Sequence, residues 1–320
     1  MIRSMRPIDA LAVRPLTGRD GDCELTAPTW PKAPPESHHL SLLELVSSSL
    51  VPPGRTRRLA LSSANAQVHG LIMARARAAG LVWDVEHLLC DASPDTSVEL
   101  LRWLSMEAIN VGSRRIFLET PTDGVGASVA ARAGFERCTG GALYRLDPGF
   151  QTIWEDTFPA RPRLRSDEMS IFHLYNAAVP AGVRAFEALT YEEWTALHRG
   201  RKPWSPSFWS QGQDYVWEIG SRVSAWMHMV FGDRAQHITM LIHPESEGFA
   251  DRMVREALGQ LSPKAPVLAD VREYQTALEG TLQRFGFQKQ LDYVVWVRQL
   301  AERVAEPAVV SGASPVVPSL

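Results

Sequence analysis

Two side chains on predicted strands have the chemistry needed to accept a proton. Glu86 lies in "VWDVEHLL" and His237 in "RAQHITMLI". A carboxylate or an imidazole on a rigid strand can act as a general base, and the imidazole pKa of about 6.5 suits proton transfer near neutral pH. Because strand side chains alternate, Asp84 and Glu86 are predicted to share a face with Leu88. The alternative is that Glu86 is a solvated carboxylate and His237 is hydrogen-bonded between layers.

A third chemical feature is the connection from Arg199 to Trp217, which reads "RGRKPWSPSFWSQGQDYVW". Trp204, Phe208 and Trp209 stand in it beside three basic residues. Aromatic side chains commonly line pockets for small ligands, so these three are candidate walls of an acceptor-binding site. The alternative is that they pack the seam between two domains.

Three histidines, His228, His237 and His243, raise the question of a metal site. Their spacing matches no known pattern of metal ligands, and no Cys-x-x-Cys pair accompanies them. We therefore predict that the protein holds no metal ion.

Composition bears on the class of protein and on its partners. The formal net charge of −3 over 320 residues gives no electrostatic footprint for nucleic acid. No apolar run approaches the roughly 20 residues of a membrane span, and "MIRSMRPIDALAVRPL" lacks the apolar core of a secretory signal. Cys23, Cys90 and Cys138 are few and widely spaced, which favours reduced thiols. The sequence predicts a cytoplasmic protein without nucleic-acid or membrane partners.

One phrase occurs twice in the chain. "ARAGFERCTGGALYRL" and "LQRFGFQKQLDYVVWVRQL" each join a short helical run to Gly-Phe and then to an apolar, strand-like run. Gly134 and Gly286 lie 286 − 134 = 152 residues apart, which is too long for a solenoid repeat and fits two copies of one domain. The predicted boundaries are 1–148 and 149–304, followed by a disordered tail at 305–320 that lacks periodicity.

Both halves show the same order of predicted elements. In the first, a short strand in "DALAVRPLTGRD" and a helix at Ser41–Leu50 precede three strands between Thr56 and Cys90. A long helix with Asp95 as its N-cap, a strand, a short helix and a last strand follow. The second half has helices, three strands, and then helix, strand, helix and strand. This order predicts an α/β (α+β) fold in which each half is a mixed, mostly antiparallel sheet with helices on both faces.

These phrases resemble the GNAT superfamily, the acyl-CoA N-acyltransferases, in a tandem fusion. The resemblance covers about residues 10–146 and 150–300, and its most specific feature is the joint recurrence of the phrases at one spacing. The matching phrases are "VRPLTGRD", the three-strand meander, the long helix and "ARAGF" in the first half, and "DEMSIFHLYNAAVP", "HITMLIHPE" and "LQRFGF" in the second.

The resemblance implies an acyl-CoA cleft where two parallel strands separate, with strand amides along the pantetheine arm. It also implies a loop, (Arg/Gln)-x-x-Gly-x-(Gly/Ala), whose amides and helix dipole hold the pyrophosphate. The first half has "CDASPDTSVELL" there, with Asp91 and Asp95 and no Gly. The second has "HPESEGFADRMV", which keeps Gly248 and Ala250 but has acids in place of the basic residue. Carboxylates repel phosphate, so both loops are degenerate, unless these acids are simple helix caps.

On this resemblance we expect an acyl-CoA-dependent N-acyltransferase that passes an acetyl group to the amine of a small molecule or peptide, as a monomer or homodimer. Glu86 and His237 are its base candidates, and the Tyr that the family places before the Gly-Phe is replaced by Ala130 and Leu282. The alternative is a catalytically inactive protein of the same fold that senses a ligand or binds a partner. The acetyl-CoA site is expected in the second half, at Leu241, Ile242, Ser246, Glu247, Gly248, Phe249 and Ala250.

Overall fold

The computed structural model describes residues 1–17, 24–29, 45–46, 57–64, 67–91, 93–151, 160–187, 190–199, 210–220 and 222–300. The predicted tail at 305–320 and the aromatic residues Trp204, Phe208 and Trp209 lie outside these residues. Most of the helix predicted at Ser41–Leu50 also lies outside them, and its residues 45–46 are helical.

Twelve strands and eight α-helices are present in the described residues. The strands are β1 (Ile2–Ser4), β2 (Arg57–Ala64), β3 (Gln67–Arg77), β4 (Val82–Cys90), β5 (Arg115–Pro121), β6 (Glu136–Leu146), β7 (Arg161–Pro162), β8 (Ser210–Ile219), β9 (Arg222–Phe231), β10 (Gln236–Ile242), β11 (Val267–Arg272) and β12 (Gln288–Gln299). The helices are α1 (Ala10–Thr17), α2 (Pro94–Asn110), α3 (Gly126–Arg132), α4 (Glu168–Ala178), α5 (Ala181–Glu187), α6 (Tyr191–Arg199), α7 (Ala250–Gln260) and α8 (Thr276–Arg284).

All these strands form one sheet, in the order β1-β2-β3-β4-β5-β12-β6-β11-β10-β9-β8-β7. Only the β4–β5 and β10–β11 pairs are parallel, so the predicted mixed, mostly antiparallel sheet is confirmed in the described residues. The last strand of each half lies in the other half, because β12 pairs with β5 and β6 pairs with β11. The strands β6 and β12 also pair with each other. The halves therefore share one sheet by exchanging their final strands.

The exchanged strands meet at equivalent positions of the repeat. In the β6–β12 ladder Gly141 lies opposite Tyr293, and these residues are 293 − 141 = 152 apart, the spacing of the Gly-Phe pairs. An antiparallel ladder relates its two strands by a local twofold rotation, so an approximate twofold axis passes beside this pair. The Tyr293 ring lies over Gly141, where a Cβ would be 2.6 Å from the ring Cζ. Close approach at the axis therefore requires glycine.

The repeated Gly-Phe pair ends a helix in each half. Gly134 and Gly286 have φ angles of +82° and +86°, in the left-handed region that favours glycine after a helix. The N–H of each following phenylalanine, Phe135 and Phe287, donates to a helix carbonyl five residues earlier at 3.0 Å. Both phenylalanine rings are buried. The repeated phrase is thus a helix stop that directs the chain into the exchanged strand.

The start of the first half differs from the prediction. The strand predicted in "DALAVRPLTGRD" is wrong, because Ala10–Thr17 forms helix α1 and strand β1 lies earlier, at Ile2–Ser4. Ala10, Val13 and Leu16 are buried. Their spacing of three residues places them on one side of a helix.

An ion pair fixes the approach to the first helix of each half. Arg3 donates two hydrogen bonds to Asp9 (2.6 and 2.8 Å), and Arg161 donates two to Asp167 (2.7 and 2.9 Å). Each Asp also accepts a backbone N–H from three residues earlier, which closes the turn before the helix. Arg161 follows Arg3 by 161 − 3 = 158 residues, and Asp167 follows Asp9 by 167 − 9 = 158 residues. This second repeat consists of charged residues, so hydrophobic periodicity does not reveal it.

Helices cover both faces of the sheet, as predicted. Along β3, Leu71 and Met73 pack in the core under α1, whereas Ile72 and Ala74 pack in the core under α2 on the opposite face. In the second half, α4, α5 and α6 pack on the same face as α1, and α7 packs on the same face as α2. We call the face with α1 and α4–α6 the front face and the other the back face.

We expect Gly141→Ala to destabilise the protein by about 1–3 kcal/mol, because the new methyl group overpacks against the Tyr293 ring. Gly248→Ala is the matched control, since nothing lies within 4 Å of the position of its Cβ. Urea unfolding of the two variants measures the difference. Equal stability would contradict the close approach at the twofold axis.

The arginine clamps predict an acid-dependent loss of stability. The hydrogen bonds from Arg3 and Arg161 hold the pKa values of Asp9 and Asp167 below the usual value of 3.8. A carboxyl group with a depressed pKa in the folded state adds stability that is complete above its unfolded pKa and is lost as the pH falls through its folded pKa. We therefore expect stability to fall below about pH 4, and to fall less in the double variant Asp9→Asn/Asp167→Asn.

Urea unfolding at pH 7 and pH 3 compares the acid loss in the two proteins. The variant should be the less stable protein at pH 7, and the difference should shrink at pH 3. An equal acid loss in both proteins would show that these two carboxyl groups do not contribute to it.

Candidate functional site

Each half contains two parallel strands that separate. β4 pairs with β5 only over Val82–Asp84 and Arg115–Phe117, and β10 pairs with β11 only over Gln236–Ile238 and Val267–Ala269. All four strands continue beyond their last paired residues. A wedge-shaped opening therefore forms in each half, which we call the first cleft (β4/β5) and the second cleft (β10/β11).

Main chain enters the first cleft. The N–H of Leu25 donates to the carbonyl of Leu88 on β4 (2.9 Å), and the N–H of Ala27 donates to the carbonyl of Glu119 on β5 (2.8 Å). The segment 24–29 thus bridges the two separated strands through backbone hydrogen bonds. Polar edge groups of both strands are satisfied from within the chain.

The side chain of Gln275 bridges the open part of the second cleft by hydrogen bonds. Gln275 donates from Nε2 to the carbonyl of Met240 on β10 (2.7 Å), and its Oε1 accepts from the N–H of Arg272 on β11 (3.0 Å). Leu241 and Ile242, both predicted to bind acetyl-CoA, lie on the part of β10 that no longer pairs with β11, and they are partly exposed. The backbone groups at this opening are therefore held by one rotatable amide.

The predicted base His237 lies at the closed end of the second cleft. It is 1% exposed, and its Nε2 lies 2.7 Å from Oδ2 of Asp270. His237 belongs to the last paired residues of β10, and Asp270 is the first residue of β11 after the pairing ends. In the tautomer that donates from Nε2 to Asp270, Nδ1 holds the lone pair that accepts a proton. The pair is therefore an imidazole oriented by a carboxylate.

The other predicted base, Glu86, belongs to the first cleft and is engaged by two arginines. Its carboxylate lies 2.6 Å from Arg75 Nη2 and 3.3 Å from Arg57 Nη2, and the residue is 9% exposed, so it is not a solvated carboxylate. The prediction that Glu86 shares a face with Leu88 is wrong. A β-bulge inserts one extra residue here, and Leu88 joins the back-face core. The structure does not bring Glu86 and His237 together.

Polar side chains on the front face connect the two clefts. Arg272 of β11 donates to Glu119 of β5 (3.3 Å) and lies over the Tyr293 ring at 5.4 Å. Arg272 Nη1 and the Tyr293 hydroxyl have no hydrogen-bond partner among the described residues. Burial raises the pKa of Tyr293, so its hydroxyl is a donor at neutral pH. Sequence reasoning missed this cluster, because the contact between Arg272 and Glu119 depends on the exchange of the final strands.

The thiol beside this cluster is not an activated nucleophile. Burial raises the pKa of Cys138 to about 12, and the negative charge of Glu187 acts in the same direction. Burial also raises the pKa of Tyr274. Both groups are therefore protonated at neutral pH, which disfavours a covalent acyl-cysteine route.

The loop before α2 uses its acids inside the first half. Asp91 pairs with His69 (2.6 Å), and Asp95 pairs with Arg132. The prediction of Asp95 as N-cap is wrong, because the helix begins at Pro94 and Ser93 is its N-cap. Asp95 instead lies in the first turn, where its charge favours the helix dipole.

The loop before α7 forms the 3₁₀ turn Pro244–Phe249, whose first amides already have partners. The N–H of Glu245 donates to Nδ1 of His243 (3.2 Å), and the N–H of Ser246 donates to the His243 carbonyl (2.8 Å). Pro244 has no N–H to offer. A pyrophosphate would have to compete with His243 for these amides.

The predicted ligand contacts in this loop differ in exposure. Ser246 and Ala250 are buried, Glu247 and Gly248 are exposed, and Phe249 is partly buried beneath the Arg252 guanidinium at 5.7 Å. Nothing lies within 4 Å of a Cβ placed on Gly248, so packing does not require glycine here. The predicted role of these residues in binding acetyl-CoA stays a prediction.

The three histidines considered for a metal site are engaged separately. His228 lies 3.0 Å from Asp214, whereas His237 contacts Asp270 and His243 caps the loop described above. Within the part of the chain that the structure describes, no group of His, Cys, Asp and Glu side chains is arranged to hold a metal ion. Among the same residues, no helix combines the length and the apolar character needed to cross a bilayer.

Solved structures share this architecture. A GCN5-related N-acetyltransferase from Sphaerobacter thermophilus is 13% identical, and the match covers 93% of this chain and 95% of that chain with a TM-score of 0.57. A putative acetyltransferase from Pyrococcus horikoshii is 12% identical over 94% and 90% of the two chains, with a TM-score of 0.50. A tandem GNAT protein from the clavulanic acid biosynthesis pathway is 14% identical over 93% and 98%, with a TM-score of 0.49.

The Sphaerobacter and Pyrococcus likenesses establish the fold. No protein-family model matches the sequence, and a comparison with curated proteins finds no match. The Sphaerobacter match extends over both halves, because it covers nearly the whole of each chain. The chain therefore has the GNAT fold in a tandem arrangement, as its resemblance predicted.

The acidic loop generates a prediction about CoA affinity. We expect Glu247→Arg to bind CoA several-fold more tightly than wild type, because the change replaces an exposed negative charge with a positive one near the expected pyrophosphate. Glu99→Arg, at an exposed position on α2, is the control with the same change in net charge. Calorimetric titration measures both. Unchanged or weaker affinity in folded Glu247→Arg would mean that this loop does not face a pyrophosphate.

Proposed function

We propose that the chain is an acyl-CoA-dependent N-acyltransferase that uses the second cleft. The observation that supports this most directly is the Gln275 bridge between the Met240 carbonyl and the Arg272 N–H. The pantetheine arm of CoA carries amides with the same donor and acceptor groups. Such an arm can take over both strand contacts when the Gln275 side chain rotates away.

The second cleft fits the pantetheine arm better than the adjoining loop fits a pyrophosphate. Glu245 and Ser246 already donate their N–H groups to His243. One compensating cation is Arg222 of β9, whose guanidinium lies 3.0 Å from the Glu245 carboxylate. Arg222 thus offsets the negative charge of Glu245 in this loop.

The side chains at the closed end of the second cleft have assigned roles in this proposal. Acetyl-CoA supplies an acyl group activated as a thioester. The amine nitrogen bonds to the acyl carbon while the thioester C–S bond breaks, so the amine must lose a proton and the departing thiolate must gain one. His237, oriented by Asp270, receives the proton of the amine and returns it to the thiolate of CoA. Because His237 is 1% exposed, the proton passes through a bridging hydroxyl group or water molecule. Arg272 Nη1 and the Tyr293 hydroxyl are donors for an oxygen of the acceptor or the thioester.

A second candidate is a non-catalytic protein of the same fold that senses a ligand or binds a partner. The observation that favours it is the capped loop, in which His243 holds amides that a pyrophosphate needs. The exposed acids Glu245 and Glu247 favour it as well, since they repel phosphate. The two candidates differ in whether the chain binds acetyl-CoA.

Calorimetric titration with acetyl-CoA tests the proposal on wild type, Gln275→Ala and Gln260→Ala. We expect wild type to bind, and Gln275→Ala to bind about 2- to 10-fold more tightly, because the ligand no longer displaces a bridge worth roughly 0.5–1.5 kcal/mol. Gln260 contacts Glu256 at the end of α7, so its variant should match wild type.

Two results would count against this assignment. No binding by wild type at millimolar acetyl-CoA would favour the non-catalytic candidate. Weaker binding by folded Gln275→Ala would mean that the ligand keeps the glutamine bridge or binds elsewhere.

A further inference from the structure

We propose that the first cleft is a binding site for polypeptide main chain, and that its resident ligand is the segment Glu24–Thr29 of this same chain. By taking the hydrogen-bonding groups of β4 and β5, this segment excludes acyl-CoA from the first half. The chain then offers one acyl-CoA site rather than two. Only this last consequence rests on the proposed function.

The segment adds to β4 as a strand does. Glu24 forms an antiparallel bridge with Leu89, and the N–H of Leu25 donates to the carbonyl of Leu88 (2.9 Å). The N–H of Leu88 donates in turn to the Glu24 carboxylate (3.0 Å). Both backbone groups of Leu88 are therefore used by the segment, in the manner of a peptide bound at a sheet edge.

The other end of the segment binds β5. The N–H of Ala27 donates to the carbonyl of Glu119 (2.8 Å), and the hydroxyl of Thr29 donates to the Glu119 carboxylate. The pairing of β4 with β5 ends before both Leu88 and Glu119. The segment thus spans the opening from one strand to the other.

Glu24 anchors the segment from inside. Its carboxylate accepts from the Thr26 N–H (3.1 Å) and the Thr26 hydroxyl (2.6 Å), and lies 2.9 Å from Nδ1 of His87. The Thr26 hydroxyl also lies 3.1 Å from the carbonyl of Glu86. Surface loops seldom bury so many successive residues. The relative exposures are 9% for Leu25, 2% for Thr26, 0% for Ala27 and 2% for Thr29.

The two clefts differ in what a ligand must displace. In the second cleft, rotation of one side chain releases the Met240 carbonyl and the Arg272 N–H. In the first, a ligand would have to remove a buried main-chain segment together with its carboxylate anchor. Acyl-CoA would therefore displace one side chain in the second cleft but a buried main-chain segment in the first.

Hydrogen exchange with mass spectrometry tests the proposal on the full chain, with and without millimolar acetyl-CoA. In wild type, amides in 24–29 and 86–90 should be protected and unchanged by acetyl-CoA. Glu24→Ala should raise exchange in both peptides at least tenfold, because it removes the acceptor for Leu88 and Thr26. Glu99→Ala, at an exposed position on α2, should leave both unchanged.

A milder variant decides the matter if Glu24→Ala does not fold. Thr29→Val removes only the hydroxyl contact to Glu119, so exchange should rise several-fold at residues 27–29 and stay constant at 86–90. Fast exchange of 24–29 in wild type overturns the proposal, and so does faster exchange there when acetyl-CoA is added. If acetyl-CoA changes no peptide at all, the proposed function fails while protection of 24–29 still upholds the main-chain site.

Discussion

The pairing of β6 with β12 is the interaction on which the rest of the structure depends. Each strand ends one half of the chain and lies inside the sheet of the other, so β5 and β11 gain their outer partners only through the exchange. Without it both strands would be unpaired edges at the middle of the molecule. The glycine at 141 permits the crossing because the Tyr293 ring takes the space of its missing side chain. The two halves are consequently parts of one sheet.

The exchange also brings the two clefts within reach of each other. β5 and β11 are separated by only β12 and β6, so the Arg272 side chain extends over Tyr293 to Glu119. Glu119 accepts from Ala27 of the segment in the first cleft, and the N–H of Arg272 donates to Gln275 in the second. A continuous path of hydrogen bonds therefore runs between the clefts. Glu119, a residue of the first half, helps to set the position of an arginine at the opening of the second.

The two halves have the same order of strands but differ in the side chains at their clefts and loops. Glu119 from the first half and Arg272 from the second form an ion pair across the two exchanged strands. In the loop before α2, Asp91 pairs with His69 and Asp95 pairs with Arg132. The two clefts likewise differ in the groups that bridge their strands. A buried main-chain segment fills the first cleft, whereas the Gln275 side-chain amide spans the open part of the second. The two halves therefore share the order of their strands but differ in the groups that occupy their clefts.

The amino-acid sequence by itself determined the elements and their repetition, because these follow from local physics. The Gly-Phe stop is readable since only glycine easily adopts the left-handed turn at 134 and 286, and the strands and long helices follow from apolar periodicity. Only the tertiary structure decided which strands are neighbours. An exchanged strand has the same apolar alternation as a strand that pairs within its own half, so the sequence pattern does not distinguish them. Three further features depend on contacts between residues far apart in the chain. They are the bulge at Glu86, the Arg272–Glu119 ion pair and the binding of Glu24–Thr29 in the first cleft. Such contacts leave no periodic trace in the sequence, because they depend on which backbone edges and buried charges the folded sheet brings together.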